Sequence, residues 1–299
     1  MNDTLELAVL RHLRGDLEGA AAYYRELIDA DPLHATALNN LGFALAQQGR
    51  HAEAVTLYEQ AVEAAPTGPT AHLNLGNALA ATGDLAGATA ALRRAVELAP
   101  QDPTPSDNLA QVLLLCGRAA EAESLWRVAV ALAPEDARLR VSLGTAVAAQ
   151  QRLPEAAALL GDAVTLDPSN ASAWSQLGAV LMLRGDLGSA VDALRQACAL
   201  LPYDATTRHH LALALLALGD RVGATVELEE AVRAAPDRIG LRADLAAVHL
   251  SEHRCAEALA HVDAAEAMAA SASEEAVRER LRAYRAAAAQ GLAGTATGQ

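Results

Sequence analysis

The sequence predicts an all-α protein built from a repeated pair of helices. Three observations support this fold class: prolines recur every 34 residues, apolar positions recur within each period at helical spacing, and only 3% of the residues are aromatic. Alanine, the best helix former and a poor strand former, is abundant, which argues against a β-sandwich or barrel. A hydrophobic content of 52% over 299 residues argues against general disorder.

The period is visible in the prolines, seven of which follow one another at intervals of 34 residues. They are Pro32, Pro66, Pro100, Pro134, Pro168, Pro202 and Pro236. Numbering positions 1 to 34 from Met1 gives eight consecutive units over residues 1–272, and no insertion breaks the register. Position 7 is Leu and position 20 is Ala in every unit. Such a period is typical of an array in which each unit buries its apolar face against its neighbours.

Each unit is predicted to contain two helices. Positions 7, 8 and 11 place apolar residues on one face of a first helix, and positions 20, 24, 27 and 28 do the same for a second. Glycine at position 15 of six units supplies a left-handed residue that ends the first helix. Proline at position 32 ends the second helix, because its ring cannot continue the backbone hydrogen bonding. Small residues at positions 8 and 20 let the two helices approach closely, and a large residue at position 24 fills the gap to the next pair.

The period ends after residue 272. We predict a C-terminal capping helix over residues 273–290, with a capping box formed by Ser271 and Glu274. Four apolar residues recur on one face of this helix, as covering the last repeat requires: Val277, Leu281, Tyr284 and Ala288. Residues 291–299 are predicted to be a disordered tail.

The pattern resembles the tetratricopeptide repeat over residues 1–272. The resemblance rests on Leu-Gly at positions 7 and 8, Ala at 20, a large residue at 24, Ala at 27 and Pro at 32, while the Trp frequent at position 4 of that family occurs only as Trp174. It implies a right-handed superhelical solenoid whose first helices line a concave groove. Repeats such as residues 71–100 are also similar to those of O-linked N-acetylglucosamine transferases, but no catalytic domain of that kind is expected in the remaining sequence.

The resemblance implies that positions 2, 5, 6, 9, 12 and 13 line the groove, and in units two to four these positions carry side-chain amides. They are Asn39, Asn40, Asn74, Asn77, Asn108 and Gln111. An amide offers both a donor and an acceptor, which suits the N–H and C=O groups of an extended peptide whatever its side chains. The alternative is that these amides bridge neighbouring helices or are only hydrated. Four further residues complete the predicted peptide-binding site: Phe43, Arg138, Thr145 and Gln176.

Hydrogen bonds alone would make this site weak. Each contributes on the order of 1 kcal/mol net, so five or six do little more than offset the cost of association. Apolar pockets near Phe43, Leu73 and Leu115 would have to supply the remaining affinity. Charges in the groove are few, with Asp107 and Arg138 the clearest. The carboxylate clamp of the resembled family therefore lacks its cations here, and the C-terminal tails of chaperones are not expected ligands.

Histidines are the other candidates for chemistry. His209 and His210, at positions 5 and 6, would form a groove contact or a pH-sensitive patch, but we expect a solvated pair. His249 and His253 have the four-residue spacing of zinc ligands on one helix. Because position 15 ends the first helix in other units, we expect His253 to leave that face. No metal or cofactor is predicted.

Charge and composition exclude further classes of function. A net charge of −14 opposes nucleic acid and anionic membrane surfaces. No apolar run approaches the roughly 18 residues that span a bilayer, and charges occupy the N-terminal stretch where a signal peptide is apolar, so we expect a cytoplasmic protein. All 23 basic residues are arginine, a bias that indicates a GC-rich bacterial genome.

No nucleophile motif, phosphate-binding loop or dinucleotide fingerprint occurs, so an enzyme is not expected. We predict a non-catalytic protein–protein interaction module that binds an extended peptide segment of a partner in its amide-lined groove. Two alternatives stay open. One is an assembly scaffold that acts through its convex face or by self-association, and the other is an accessory subunit that presents substrate to a separate enzyme.

Overall fold

The computed structural model describes residues 2–269 and 275–297, and over those residues it contains 17 α-helices and no strand. The chain divides into two compact units, Met1–Gln151 and Arg152–Gln299. The predicted all-α fold of helical hairpins is confirmed. The predicted capping box of Ser271 and Glu274 lies outside the described residues. None of the described helices combines the length and apolar character needed to cross a membrane.

The first unit contains four helical hairpins and one further helix, α9. Its helices are α1 (Asn2–Leu13), α2 (Leu17–Ala30), α3 (Ala35–Gln47), α4 (His51–Ala64), α5 (Pro69–Thr82), α6 (Leu85–Leu98), α7 (Pro103–Leu115), α8 (Ala119–Leu132) and α9 (Ala137–Ala149). Each helix packs against the next. The first helices of neighbouring hairpins also meet, since α3 contacts α5, α5 contacts α7, and α7 contacts α9.

The second unit begins with α10, continues with three helical hairpins and ends with an additional helix. Its helices are α10 (Leu153–Leu166), α11 (Ala171–Arg184), α12 (Leu187–Leu200), α13 (Ala205–Ala217), α14 (Arg221–Ala234), α15 (Ile239–Ser251), α16 (Cys255–Ala269) and α17 (Glu275–Thr297). Consecutive helices again pack together, and α17 contacts both α16 and α15.

Local sequence sets the helix ends as predicted. Gly83 ends α5 in the left-handed region at φ 89°, and the Asp84 carboxylate then caps α6 by accepting the Gly87 N–H at 2.9 Å. The position-15 glycines of the other five units adopt the same conformation. Two units place another residue there, and both residues still adopt it: Gln151 at φ 62° and His253 at φ 60°. The repeat thus imposes this turn even without glycine.

Close packing within each hairpin follows the alternation of small and large positions. The residue at position 24 is fully or almost fully buried in every unit, from Tyr24 to Val262. Opposite it, a Cβ added to Gly76 would lie 2.5 Å from Leu92 Cγ, and one added to Gly178 would lie 2.5 Å from Leu194 Cγ. In these two repeats only glycine leaves room for the leucine at position 24.

The last helix covers the eighth hairpin. Leu281 and Ala288 are fully buried, and Val277 and Tyr284 pack against the cluster that contains Val262. These four residues form the face predicted from the sequence. The helix continues to Thr297, beyond the predicted boundary at residue 290, and this segment has no proline to stop it.

Candidate functional site

The amides predicted for the groove meet across neighbouring repeats. We call the surface formed by Asn39, Asn40, Asn74, Asn77, Asn108 and Gln111 the amide face. Asn74 Nδ2 donates to Asn39 Oδ1 at 3.0 Å, and Asn39 Nδ2 donates to Asn40 Oδ1 at 3.3 Å. Asn108 Nδ2 donates to Asn77 Oδ1 at 2.9 Å. The alternative that these amides bridge neighbouring helices is therefore correct in part.

This pairing leaves hydrogen-bonding groups open. Asn77 and Gln111 are exposed, and the other four amides are half-buried. Each amide has two N–H donors and an oxygen with two lone pairs, of which one bond uses only a fraction. Within the described residues, no hydrogen bond occupies Asn74 Oδ1, Asn77 Nδ2 or either end of the Gln111 amide. The amide face is partly satisfied, and the existing bonds hold the unused groups of Asn74 and Asn77 in place.

Phe43 stands at one end of the amide face. Its ring stacks on His12, with the ring centroids 5.4 Å apart, and 43% of the residue stays exposed. His12 Nε2 is held 3.2 Å from Gln47 Oε1. A pocket of about 140 Å³ lies beside Phe43, and Tyr58, Asn74 and Asn77 also line it.

A larger pocket lies at the other end, between α7, α8 and α9. Its volume is about 360 Å³, and its lining includes Gln111, Leu115 and Thr145. The buried ring of Trp126 contributes to it, and Trp126 Nε1 donates to Asp107 Oδ1 at 2.7 Å. Leu115 is 73% exposed. Apolar pockets are thus present near Phe43 and Leu115, whereas Leu73 is half-buried and lines neither of them.

The remaining predicted residues are placed differently. Arg138 is exposed and pairs with Asp136 at 2.8 Å. The hydrogen bond to Asp136 raises the pKa of Arg138, and the charge of Asp107 adds to this, so the three groups are near one another. Gln176 is exposed on α11 in the second unit, so it is not among the residues that the first unit brings together.

The histidine pair is not solvated, and that prediction is wrong. His209 Nε2 lies 2.8 Å from Asp244 Oδ2, and Arg280 of α17 donates to Asp244 Oδ1 at 2.6 Å. Burial raises the pKa of Asp244, but the hydrogen bonds from His209 and Arg280 outweigh it and the pKa is lowered. Burial, together with the charge of His209, lowers the pKa of His210. The repeat pattern predicts solvated rings only when each helix is considered separately, because the contact joins two repeats.

A spacing rule would have found this contact. His209 at position 5 meets Asp244 at position 6 of the next unit, 35 residues later. Asn39 and Asn74 have the same two positions and the same spacing. Position 5 of one repeat therefore contacts position 6 of the next repeat, and this holds in both compact units of the chain.

The predicted separation of His249 from His253 is observed, since His253 lies in the left-handed turn after α15. His249 instead stacks on His261, with the ring centroids 5.5 Å apart. Its ring is buried, and its Nδ1 has no hydrogen-bond partner among the described atoms. Across residues 2–269 and 275–297, no group of three or more His, Cys, Asp or Glu side chains is arranged to hold a metal ion.

Solved structures show the same type of fold. The chain is similar to a chain of the APC/C hetero-tetramer Cut9–Hcn1, with a TM-score of 0.64 and 16% identity over 90% of this chain and 52% of that one. For yeast Tom70 the TM-score is 0.63 and the identity 16%, over 92% of this chain and 59% of that one. For TTC0263, a protein of Thermus thermophilus, the TM-score is 0.52 and the identity 29%, over 61% of this chain and 100% of that one. The chain thus spans about half the length of the Cut9–Hcn1 chain it matches.

Sequence models of one family match most of the repeats. A tetratricopeptide repeat model matches residues 7–69, 108–171 and 143–205, which together are more than half of the chain. Two further tetratricopeptide repeat models match residues 45–112 and 205–230. A comparison with curated proteins found no match. The chain therefore belongs to the tetratricopeptide repeat family.

Proposed function

We propose that the protein is a cytoplasmic, non-catalytic interaction module that binds an extended segment of a partner protein along the amide face. The observation that carries the proposal is the row of amides on adjacent first helices, with donors and acceptors left unused at Asn74, Asn77 and Gln111. Extended peptides expose one N–H and one C=O per residue, which such amides pair with. The similarity of single repeats to those of O-linked N-acetylglucosamine transferases stays a prediction from the sequence.

The bonds within the amide face support binding. Asn39 holds Asn74, and Asn77 holds Asn108, so each pair loses rotamer freedom before a ligand arrives. Fixing these side chains in advance lowers the entropic cost of association. Neighbouring first helices pack at about 8–10 Å. An extended peptide rises about 3.3 Å per residue, so about three residues pass each repeat.

Removing the unused amide groups tests the proposal. In the triple variant Asn74→Ala, Asn77→Ala and Gln111→Ala, we expect affinity for peptides selected on the wild-type chain from a random dodecapeptide library to fall about 100-fold. The reason is the loss of about three hydrogen bonds at about 1 kcal/mol each. Fluorescence anisotropy measures the affinity, and far-UV circular dichroism checks that helicity is unchanged.

A matched triple variant provides the control. Gln60→Ala, Gln101→Ala and Gln196→Ala removes three exposed amides that lie outside the amide face. Its affinity should equal that of the wild type. Equal weakening by both triple variants, or selection of no peptide at all, would contradict the proposed function.

A further inference from the structure

The two pockets at the ends of the amide face are lined by equivalent positions of the repeat, and they lie two repeats apart. Each is lined by positions 9, 12 and 24 of one unit and by positions 6 and 9 of the next. In the smaller pocket these residues are Phe43, Ala46, Tyr58, Asn74 and Asn77. In the larger pocket they are Gln111, Leu114, Trp126, Ser142 and Thr145. The correspondence is complete over five positions, so the pockets face the same side of the first unit.

The larger pocket suits an apolar side chain. None of its lining residues is charged, and its volume is about 360 Å³ against about 140 Å³ for the smaller one. The Trp126 N–H already donates to Asp107 and needs no further partner. A charged group entering this pocket would lose water without gaining a counterion, which is unfavourable, whereas an apolar group would gain from burial.

The distance between the pockets sets the spacing of the groups that fill them. Adjacent first helices pack at about 8–10 Å, so two steps along the array cover about 16–20 Å. An extended peptide covers that distance in about five or six residues. In the unit between the two pockets, the equivalent positions 9 and 6 are Asn77 and Asn108, which are joined by a hydrogen bond. The middle of the peptide therefore meets amides, and its ends meet pockets.

Charge near the larger pocket favours a basic neighbour to the apolar group. Asp107 accepts a hydrogen bond from Trp126 in the pocket wall. Its negative charge also interacts with Arg138. Arg138 is already paired with Asp136, and among the described residues no ion pair joins it to Asp107. The chain as a whole carries −14. Complementarity of charge speeds association and selects partners of opposite sign.

We infer that the segment bound at the amide face carries two apolar side chains about five or six residues apart. The larger enters the pocket beside Trp126, with a lysine or arginine next to it. This inference rests on the proposed function and adds selectivity to it. The amides hydrogen-bond the backbone of the segment, and the two pockets determine which segments bind.

The test selects binders to the full chain from a random dodecapeptide library and then measures affinities by fluorescence anisotropy. We expect enrichment of paired Leu, Ile, Met or Phe residues about five or six positions apart. In a selected peptide, replacing the apolar residue beside the basic one by Ser should weaken binding about tenfold or more. Leu115→Ala, which removes an exposed wall of the pocket, should weaken binding about tenfold.

Leu183→Ala is the matched control. Leu183 occupies position 13, as Leu115 does, and is 67% exposed in the second unit. Its replacement should leave affinity unchanged. A second pair fills space instead: Thr145→Leu should block the pocket, whereas Thr165→Leu, which loses a comparable hydroxyl bond to the carbonyl four residues earlier, should not.

The outcomes separate this inference from the proposed function. Selected peptides without paired apolar residues, or equal effects of the two Leu→Ala changes, would overturn the two-anchor inference. If the amide triple variant still lost affinity, the proposed function would stand alone. Anchored peptides that bind the amide triple variant at full strength would support the pockets and overturn the role of the amides. Failure to select any peptide would overturn both.

Discussion

Backbone conformation decides the effect of two glycine substitutions. A Cβ added to Gly83 or to Gly161 meets no atom within 4 Å, so neither change is limited by space. Gly83 has φ 89°, where a side chain costs about 1–2 kcal/mol. Gly161 lies inside α10, where Ala is favoured over Gly by about 0.5–1 kcal/mol. The same substitution should therefore act with opposite signs.

We expect Gly83→Ala to lower the free energy of unfolding by about 1–2 kcal/mol and Gly161→Ala to raise it by about 0.5–1 kcal/mol. Urea unfolding measures both, provided that the m-value is unchanged. Gln151→Gly provides a check. Gln151 adopts φ 62°, where glycine is not strained, so this change should raise the free energy of unfolding. A loss of stability in Gly161→Ala, or none in Gly83→Ala, would show that backbone conformation does not set these effects.

The sequence places these amides on adjacent first helices but does not identify which of them bond to one another. Asn39, Asn74, Asn77 and Asn108 were identified from their positions in the repeat. Their pairing depends on side-chain rotamers and on the rotation from one repeat to the next. A 34-residue pattern determines neither of them. The amides are therefore less free than the sequence indicated.

Within a hairpin, the approach of two helices depends on one absent methyl group. A Cβ on Gly76 would lie 2.5 Å from Leu92 Cγ and 3.2 Å from the Ala88 carbonyl oxygen, and Leu92 is fully buried. We expect Gly76→Ala to destabilise the protein by about 1–3 kcal/mol, because overpacking exceeds the gain in helix propensity. Thermal and urea unfolding measure the change.

Gly161→Ala again serves as the control for Gly76→Ala, since it adds the same methyl group in open space within a helix. Leu92→Ala removes the clashing atoms but leaves a cavity, so the double variant should lose less stability than the sum of the two single variants. The two changes should thus be non-additive in a double-mutant cycle. Additive losses would mean that the contact between positions 8 and 24 does not limit the helix pair.

Helices were the elements most readily predicted, because their apolar spacing, glycine stops and prolines recur along the chain. Exceptions arose where the repeat pattern gave no guidance. The loss of the period predicts an end at residue 290, but α17 continues to Thr297. The contact of His209 with Asp244 was missed because it joins two repeats, and only a comparison of positions 5 and 6 across units reveals it.

Across the whole molecule, the histidines with lowered pKa values among the described residues lie in the second unit. Burial lowers the pKa of His249, and the charge of Arg254 adds to this. Burial lowers the pKa of His261, with a further contribution from His249. His210 behaves in the same way beside His209. In a repeat protein, stability is roughly a sum of local terms, so these shifts should act on the second unit.

The sign follows from proton binding. An unfolded histidine has a pKa of about 6.5, and these folded histidines bind protons less readily. Below that pH the unfolded state binds more protons than the folded state, so stability rises with pH. Well above pH 6.5 these histidines are neutral in both states and cause no loss of stability, and the loss grows as the pH falls through about 6.5 toward the lowered values. We therefore expect acid between about pH 7.5 and 5.5 to destabilise the second unit selectively.

The two tryptophans allow each unit to be followed separately. Trp126 is buried in the first unit, and Trp174 lies in the second, where its Nε1 donates to the Pro168 carbonyl oxygen at 2.9 Å. In Trp126→Phe, the urea midpoint reported by Trp174 should fall as the pH is lowered. In Trp174→Phe, the midpoint reported by Trp126 should change less.

His261→Phe keeps an aromatic ring beside His249 but removes one titrating group, so it should reduce the pH dependence of the Trp174 signal. Equal pH shifts from both tryptophans would locate the acid sensitivity elsewhere than in these buried histidines.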